Sequence, residues 1–544
     1  MQTKIPANTS GRFPLRAIFL ASLFPALLGL CCGLFIMPPY IDHDTEVGLT
    51  AWGNYKNGGT WNTVVRADPE NIANSIEQSL TWWPPGQYLP LGLLYSAGLS
   101  VGMAAIAIAF LSTLSLGAGG ALLVKELSQE SDICILPWVS AALASSHYAL
   151  INFHHFWGGE TGLMAVLPWI VLAAYKLRHR TLALILFLPP LFLLGSFIKH
   201  AFAIHSFCIL AFLWLEKSRE ELSLSDKKIT TLKKTLKIVA PLFAVGLLYL
   251  GLRHYFIETT VTPLRLGEPL FGFTTYLGYS AWAPLMAPWG IGSLADRFAP
   301  RLFELNGTRI WEHIGLALSI LSPLAIGFYT WLSFRKSPLI SLTGLAALLT
   351  ALIHLYIYHS GGVIELRDRY YQFPAFLFLA VVATYIYQIG WKMRTARLLL
   401  GLCILIGSVN VVKSGFASKR WIPINYRMGV ASFVPDSVIE DIHTLLSEAP
   451  DSVLVIPHPS LDVNLSLYPL SSTRILATYG ESRELPMPKS LHGRSPLIVI
   501  ASPKRDILGA KSAASRFADY SADEWESHES GGWLFLKTKQ PLTH

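Results

Sequence analysis

Three carboxylates and an imidazole fall within five residues, Asp42-His43-Asp44-Thr45-Glu46, directly after an apolar run that ends near residue 37. Charges beside hydrocarbon are costly unless they are solvated or used. Asp44 or Asp42 has the chemistry of a general base that takes a proton from an acceptor hydroxyl. Alternatively the two aspartates could hold a hard divalent cation through oxygen ligands. The plain structural reading is a solvated loop start, or acids favoured by a helix N-terminus.

Four further polar clusters follow. Thr81-Trp82-Trp83-Pro84-Pro85-Gly86-Gln87-Tyr88 combines interface-seeking aromatics with a helix-stopping Pro-Pro, and 87–99 reads as a helix lying in the membrane interface. Phe153-His154-His155-Phe156-Trp157-Gly158-Gly159-Glu160 brings two histidines and one acid, without the third ligand that a zinc site needs. Lys199 lies in Gly195-Ser196-Phe197-Ile198-Lys199-His200, where it can snorkel to the surface or face a phosphate. Glu365-Leu366-Arg367-Asp368-Arg369-Tyr370-Tyr371 carries two arginines, whose forked donors match phosphate oxygens, or which close a local salt-bridged turn.

The elements that must position these residues are apolar helices. Of the 544 residues 52% are hydrophobic and only 14% charged, with a mean hydropathy of +0.43. That excludes a disordered chain, a disulfide scaffold and a typical cytosolic enzyme. Eleven stretches approach the roughly 20 apolar residues a membrane helix needs: 15–37, 100–124, 133–152, 161–175, 181–198, 201–215, 238–256, 313–334, 338–358, 372–390 and 398–412. Merging the fifth and sixth across Lys199 would leave ten. Arg12, Arg16, Lys125, Lys176, Arg178, Arg180, the run between Lys217 and Lys237, Arg335, Lys336, Lys392, Arg394 and Arg397 fall on one side of the eleven-span arrangement. The positive-inside rule makes that side the cytoplasm. The N-terminus is then cytoplasmic, 15–37 is an uncleaved anchor, and the net charge of +8 is a topology signal rather than a sign of nucleic acid. All the polar clusters fall on the opposite side.

The chain divides on this reading into a membrane part, 1–413, with a long first outer loop at 38–99, and an extracytoplasmic soluble α/β domain, 414–544. In the tail, 452–457, 496–501 and 532–537 suit buried strands, and 435–448 has helical spacing. The five cysteines lie in or beside the spans and suit apolar packing.

The arrangement resembles the GT-C glycosyltransferases, multispan α-helical enzymes that use polyprenyl-phosphate sugars. It is most similar to the aminoarabinose transferases and the protein O-mannosyltransferases. Asp44-Thr45-Glu46 followed by Gly59-Thr60-Trp61 matches the family's acidic motif and Gly-x-Trp. Trp83-Pro84-Pro85 looks like its Pro-Pro segment, and Glu160 like its second-loop acid. Lys199 and Arg369-Tyr370 look like its late basic residues. The family acid pair is often Asp-Glu, so the base here stays open between Asp44 and Asp42.

The resemblance implies a sugar moved from a polyprenyl-phosphate donor to an extracytoplasmic acceptor at the cell (inner or plasma) membrane. Asp44, Asp42 and Glu160 would be the catalytic acids, and Lys199, Arg367, Arg369 and Tyr370 would hold the donor phosphate. His43, Glu46, Trp83, Pro84, Pro85 and His155 would line the substrate loops. No cofactor is required on this reading, although Asp42, Asp44 and Glu160 could take Mg or Mn as in the oligosaccharyl branch. A lipid-linked glycan flippase, and a polysaccharide polymerase or ligase of another membrane fold, are the competing expectations.

Overall fold

The computed structural model describes residues 15–67, 74–80, 84–128, 135–223, 231–256, 273–289, 309–361, 368–390, 394–419, 424–425, 428–432, 434–448, 452–456, 474–477, 497–504, 507–515 and 524–540. The fold is that of an α-helical multispan membrane protein with a strand-containing C-terminal region. Among the described residues six helices are long and apolar enough to cross a membrane: Leu15–Ile36, Val101–Ser128, Gly158–Leu177, Thr181–Ile198, Ile238–Phe256 and Pro338–His359.

In chain order the helices begin with α1 (Leu15–Cys31), α2 (His43–Lys56), α3 (Leu89–Ser96), α4 (Val101–Ser128), α5 (Leu136–Ala144) and α6 (His147–Ile151). Next come α7 (Gly158–Leu177), α8 (Thr181–Ile198), α9 (Phe202–Ser223), α10 (Thr231–Phe256) and α11 (Phe273–Met286). The last of the bundle are α12 (Arg309–Ser333), α13 (Pro338–His359), α14 (Gln372–Gly390) and α15 (Arg394–Lys419). Ten of the eleven expected stretches coincide with one continuous helix each. The stretch 133–152 instead breaks into α5 and α6, because Ser146 leaves the helix and its hydroxyl caps the Ala149 N–H. The apolar helix α11 has no counterpart among the eleven expected stretches. Its 14 residues fall short of a span. The chain does break between α8 and α9, since Lys199 adopts extended backbone (φ −152°, ψ 129°).

Buried side chains of α4, α5, α7, α8, α9, α13 and α14 form the largest apolar cluster. Small residues let these helices approach closely. Ser140 Oγ of α5 donates to the Ile18 carbonyl of α1 at 3.0 Å, and Ser115 Oγ of α4 to the Ala165 carbonyl of α7 at 2.6 Å.

Two sheets gather at the end of the bundle where α1 finishes. The strands are β1 (Tyr40–Ile41), β2 (Thr63–Ala67), β3 (Ser75–Ser79), β4 (His155–Phe156), β5 (Ile424–Asn425), β6 (Val430–Ala431), β7 (Val453–Ile456), β8 (Arg474–Ala477), β9 (Ile498–Pro503), β10 (Trp525–Ser530) and β11 (Trp533–Thr538). The small sheet runs β4-β1-β6-β5, with β1 parallel to both neighbours and Tyr40 opposite His155. The larger one runs β10-β11-β9-β7-β8-β2-β3. Strands β7, β9 and β11 and helix α16 (Asp436–Glu448) match the sequence reading of the tail. β8, β10 and α17 (Ile507–Ala514) were not foreseen. The segment 38–99 supplies β2 and β3, and β2 pairs in parallel with β8 at Arg66 and Ile475. Loop and tail thus share one hydrogen-bonded sheet, a long-range pairing that local patterning does not encode.

Candidate active site

The site forms where four chain segments end together. The first leaves α1 through β1 and turns into α2. Asp42 is the N-cap of α2 in extended backbone, and its carboxylate accepts the Asp44 N–H at 3.4 Å. The helix-dipole explanation for these acids therefore holds as well, since Asp44 and Glu46 occupy the first turn. The second segment is β4, aligned beside β1 by the Tyr40 N–H to His154 carbonyl bond (2.8 Å) and the Asp42 N–H to Phe156 carbonyl bond (3.0 Å). That register puts His155 beside Asp42 and starts α7 with Glu160 in its first turn. The third is the break between α8 and α9 at Lys199. The fourth is the short 3-10 turn Asp368–Tyr371 that leads into α14 and carries Arg369.

Five charged groups from these segments meet. Lys199 Nζ donates to Glu160 Oε1 at 2.6 Å and lies 3.9 Å from Asp44 Oδ2. Arg369 Nη1 donates to Asp42 Oδ2 at 3.3 Å and stands 3.6 Å from Asp44 Oδ2, while its Nε is 3.6 Å from Glu160 Oε1. His155 Nε2 is 3.2 Å from Asp42 Oδ1, and its ring packs between Tyr40 and Trp157. The Asp42, Glu160 and Arg369 side chains are at most 8% exposed, whereas Asp44 is 18% exposed. Asp44 is therefore the carboxylate of the three that an incoming molecule reaches most easily.

Electrostatics separates the two aspartates. Burial alone would raise the Asp42 carboxyl, yet the hydrogen bond and charge of His155, helped by Arg369 and Lys199, hold it well below the usual carboxylate range. Asp44 moves the other way. Burial and the adjacent Asp42 charge raise it above the usual range, against the pull of Lys199 and Arg369. Burial works against the Lys199 ammonium too, but Glu160 and Asp44 keep it more firmly protonated than a free lysine. One aspartate is thus an anchored counter-ion and its neighbour is the more basic, more accessible carboxylate.

The Pro-Pro turn braces this constellation. Pro84 and Pro85 are buried and lead into the turn Pro85–Gln87, wedged between the start of α7 and the end of α8. A Cβ on Gly158 would lie 1.8 Å from the Gln87 carbonyl oxygen, and one on Gly86 would lie 2.5 Å from that of Phe197, so only glycine fits at either crossing. Thr45 Oγ1 accepts the Gly158 N–H at 3.0 Å, and Gln87 Nε2 reaches the Asp44 carbonyl at 3.5 Å. Asn152 Oδ1 accepts the Thr161 hydroxyl at 2.6 Å and steadies the start of α7. Thr45, Gln87 and Asn152 were not singled out in the sequence. The signal available was their position, within or beside the acidic, Pro-Pro and double-histidine motifs.

Of the expected site residues, Asp42, Asp44, Glu160, Lys199, Arg369 and His155 come together. Tyr370 lies beside them, its ring 5.4 Å from the Arg369 guanidinium carbon. Glu46 is fully buried further along α2, and His43 is half-buried at its start. Trp83 and Arg367 lie outside the described residues.

The residues do not fit a divalent metal as arranged. Lys199 Nζ and Arg369 Nη1 stand among the three carboxylates, within 4 Å of the oxygens such an ion would need. Among the described residues no group of three or more His, Cys, Asp or Glu side chains is gathered to hold an ion.

No family model matches the chain, and no curated protein matches it. Among solved structures it is similar to the archaeal oligosaccharyltransferase AglB from Archaeoglobus fulgidus, solved in complex with an inhibitory peptide and a dolichol-phosphate. The identity is 12%, over 97% of this chain and 75% of that one, with a TM-score of 0.48.

Proposed function

We propose that this protein is a membrane glycosyltransferase of the GT-C kind, moving a sugar from a polyprenyl-phosphate donor to an extracytoplasmic acceptor. One observation carries the reading. Three carboxylates and two cations from four separate segments are buried together at one end of the helices, and Asp44, the most exposed of the three carboxylates, is raised above its usual range.

The acceptor hydroxyl attacks the anomeric carbon of the donor sugar and passes its proton to Asp44. The bond from the anomeric carbon to the phosphate oxygen breaks, and the polyprenyl phosphate leaves with the electron pair. Lys199 and Arg369 then neutralise the charge that grows on the leaving phosphate, which is preorganised electrostatic stabilisation. Asp42, held ionised by His155 and Arg369, orients the guanidinium. Glu160 does the same for the ammonium. The cationic loops on the opposite side support a cytoplasmic N-terminus, and residues 414–544 would act as an extracytoplasmic domain.

The test is mass spectrometry of envelope lipids and glycans from cells with the protein, without it, and with Asp44→Asn. Loss of one sugar addition both in its absence and in the variant supports the reading. A lipid-linked glycan moved across proteoliposomes with no covalent product would replace it with a flippase.

A further inference from the structure

The far end of α2 carries a second feature that the transfer chemistry does not use. Tyr55 and Trp61 are 45% and 40% exposed, and their rings meet edge to face with centroids 5.0 Å apart and planes at 88°. Trp52 lies beneath them, 8% exposed, with its centroid 6.4 Å from that of Trp61. Its indole N–H donates to Ser96 Oγ at 3.0 Å, so the base of the triad cannot turn.

The turn that presents Trp61 is built to be rigid. Asn54 Nδ2 donates to the Thr63 carbonyl and hydroxyl, and the Gly59 N–H returns to the Asn54 carbonyl. Asn62 takes the left-handed conformation (φ 57°), bonds the Leu80 carbonyl and accepts the Tyr88 hydroxyl. The strand that pairs with β2 carries an exposed carboxylate, hydrogen-bonded to the residue before Trp61. Glu77 on β3 accepts the Thr63 hydroxyl at 3.3 Å, and hydrogen bonds from Thr60 and Thr63 keep it ionised below the usual range.

We infer that Tyr55, Trp61 and Glu77 form a subsite for a neutral or amino-sugar oligosaccharide. The electron-rich ring faces suit the weakly positive C–H faces of pyranoses. The carboxylate accepts sugar hydroxyls or an ammonium and repels uronic acids. A plain membrane anchor would also use Trp and Tyr, but an ionised carboxylate bonded to the turn that carries Trp61 makes insertion into apolar lipid costly. Tyr55 stands roughly 17 Å from Asp44 along the axis of α2, which suits an acceptor several sugars long. The inference deepens the transferase reading by naming the acceptor class, and its binding test is independent of transfer.

The full chain in nanodiscs is applied to an array of neutral, amino-sugar and uronic-acid oligosaccharides. Neutral or amino-sugar chains should be retained, and Trp61→Ala and Tyr55→Ala should each weaken retention about tenfold. Trp61→Tyr should keep it, which separates loss of the ring from misfolding. Glu77→Gln should narrow the discrimination against uronic acids. Asp44→Asn should bind as the native chain does even where transfer is lost. Retention of none of these glycans, or unchanged retention in Trp61→Ala, overturns the subsite. So does quenching by brominated lipids that disappears in Trp61→Phe, which would make Trp61 a lipid anchor.

Discussion

Two ion-pair clusters sit at opposite ends of α9, and they are built differently. Near residue 220, Arg219 pairs with Glu216 one turn away at 2.6 Å and also donates to the Ser333 carbonyl and the Ser341 hydroxyl. It satisfies the C-terminal end of α12 and ties α9 to α13. Arg178 pairs with Glu220 at 3.4 Å and rests on the Tyr175 ring. At the other end, Lys199 and Arg369 share three carboxylates contributed by α2, its N-cap and α7. One cluster fastens helix ends through one-to-one ion pairs and a backbone carbonyl. The other gathers remote charges, leaves an excess of acid, and raises Asp44 against its own ionisation. Ion pairs that serve architecture are locally balanced, whereas those at the candidate site are not, a pattern that fits a place for chemistry.

The contrast can be broken most directly at Asp44. Asp44→Asn should lower transfer by roughly 10²–10⁴-fold, the usual worth of a positioned base, while the protein stays folded and inserted. A variant of native activity in a transfer assay would remove Asp44 from the chemistry. Next in size is Arg369→Ala. It leaves Asp42 buried without its guanidinium partner and should cost about 3–5 kcal/mol of stability, read as a lower unfolding temperature, together with transfer.

A third prediction concerns pH. Because Asp44 is raised, it must lose its proton before it can act, so transfer should climb with pH through a midpoint above the ordinary value of about 3.9. In Asp44→Asn the residual rate should lack that limb. Stability should also rise with pH through Asp42, in a lower range. Its depressed pKa contributes stability that is present above the unfolded value and is lost as pH falls through the folded one. The smallest effect belongs to the far cluster. Arg219→Ala should cost about 1–3 kcal/mol through lost hydrogen bonds, with the pH profile of transfer unchanged. A shifted profile would mean the two ends are coupled, contrary to the comparison.

Much of this was legible before any coordinates. The Asp42–Glu46 motif, Glu160, Lys199 and Arg369 stood out because charged residues beside apolar runs are rare and expensive. Their convergence onto one constellation follows once the helices stack. What stayed hidden has physical reasons. Thr45 and Gln87 are ordinary polar residues whose roles exist only through partners distant in sequence, and Asn152 is a loop residue whose role appears once the turn before α7 forms. The split of 133–152 hinges on one serine cap inside an apolar run. The participation of β2 and β3 in the tail's sheet depends on a parallel pairing separated by hundreds of residues.

The sequence by itself determined that this is a multispan helical membrane protein, where most of its long apolar helices run, and which acids and bases are candidates for chemistry. Those properties follow from local composition, because the cost of burying polar groups in hydrocarbon is read residue by residue. Only the tertiary structure decided that Asp42 is the anchored carboxylate and Asp44 the accessible, more basic one. It also decided that Lys199 and Arg369 stand among the carboxylates as counter-ions. Charge interactions depend on distance and burial, and neither is written in the order of residues.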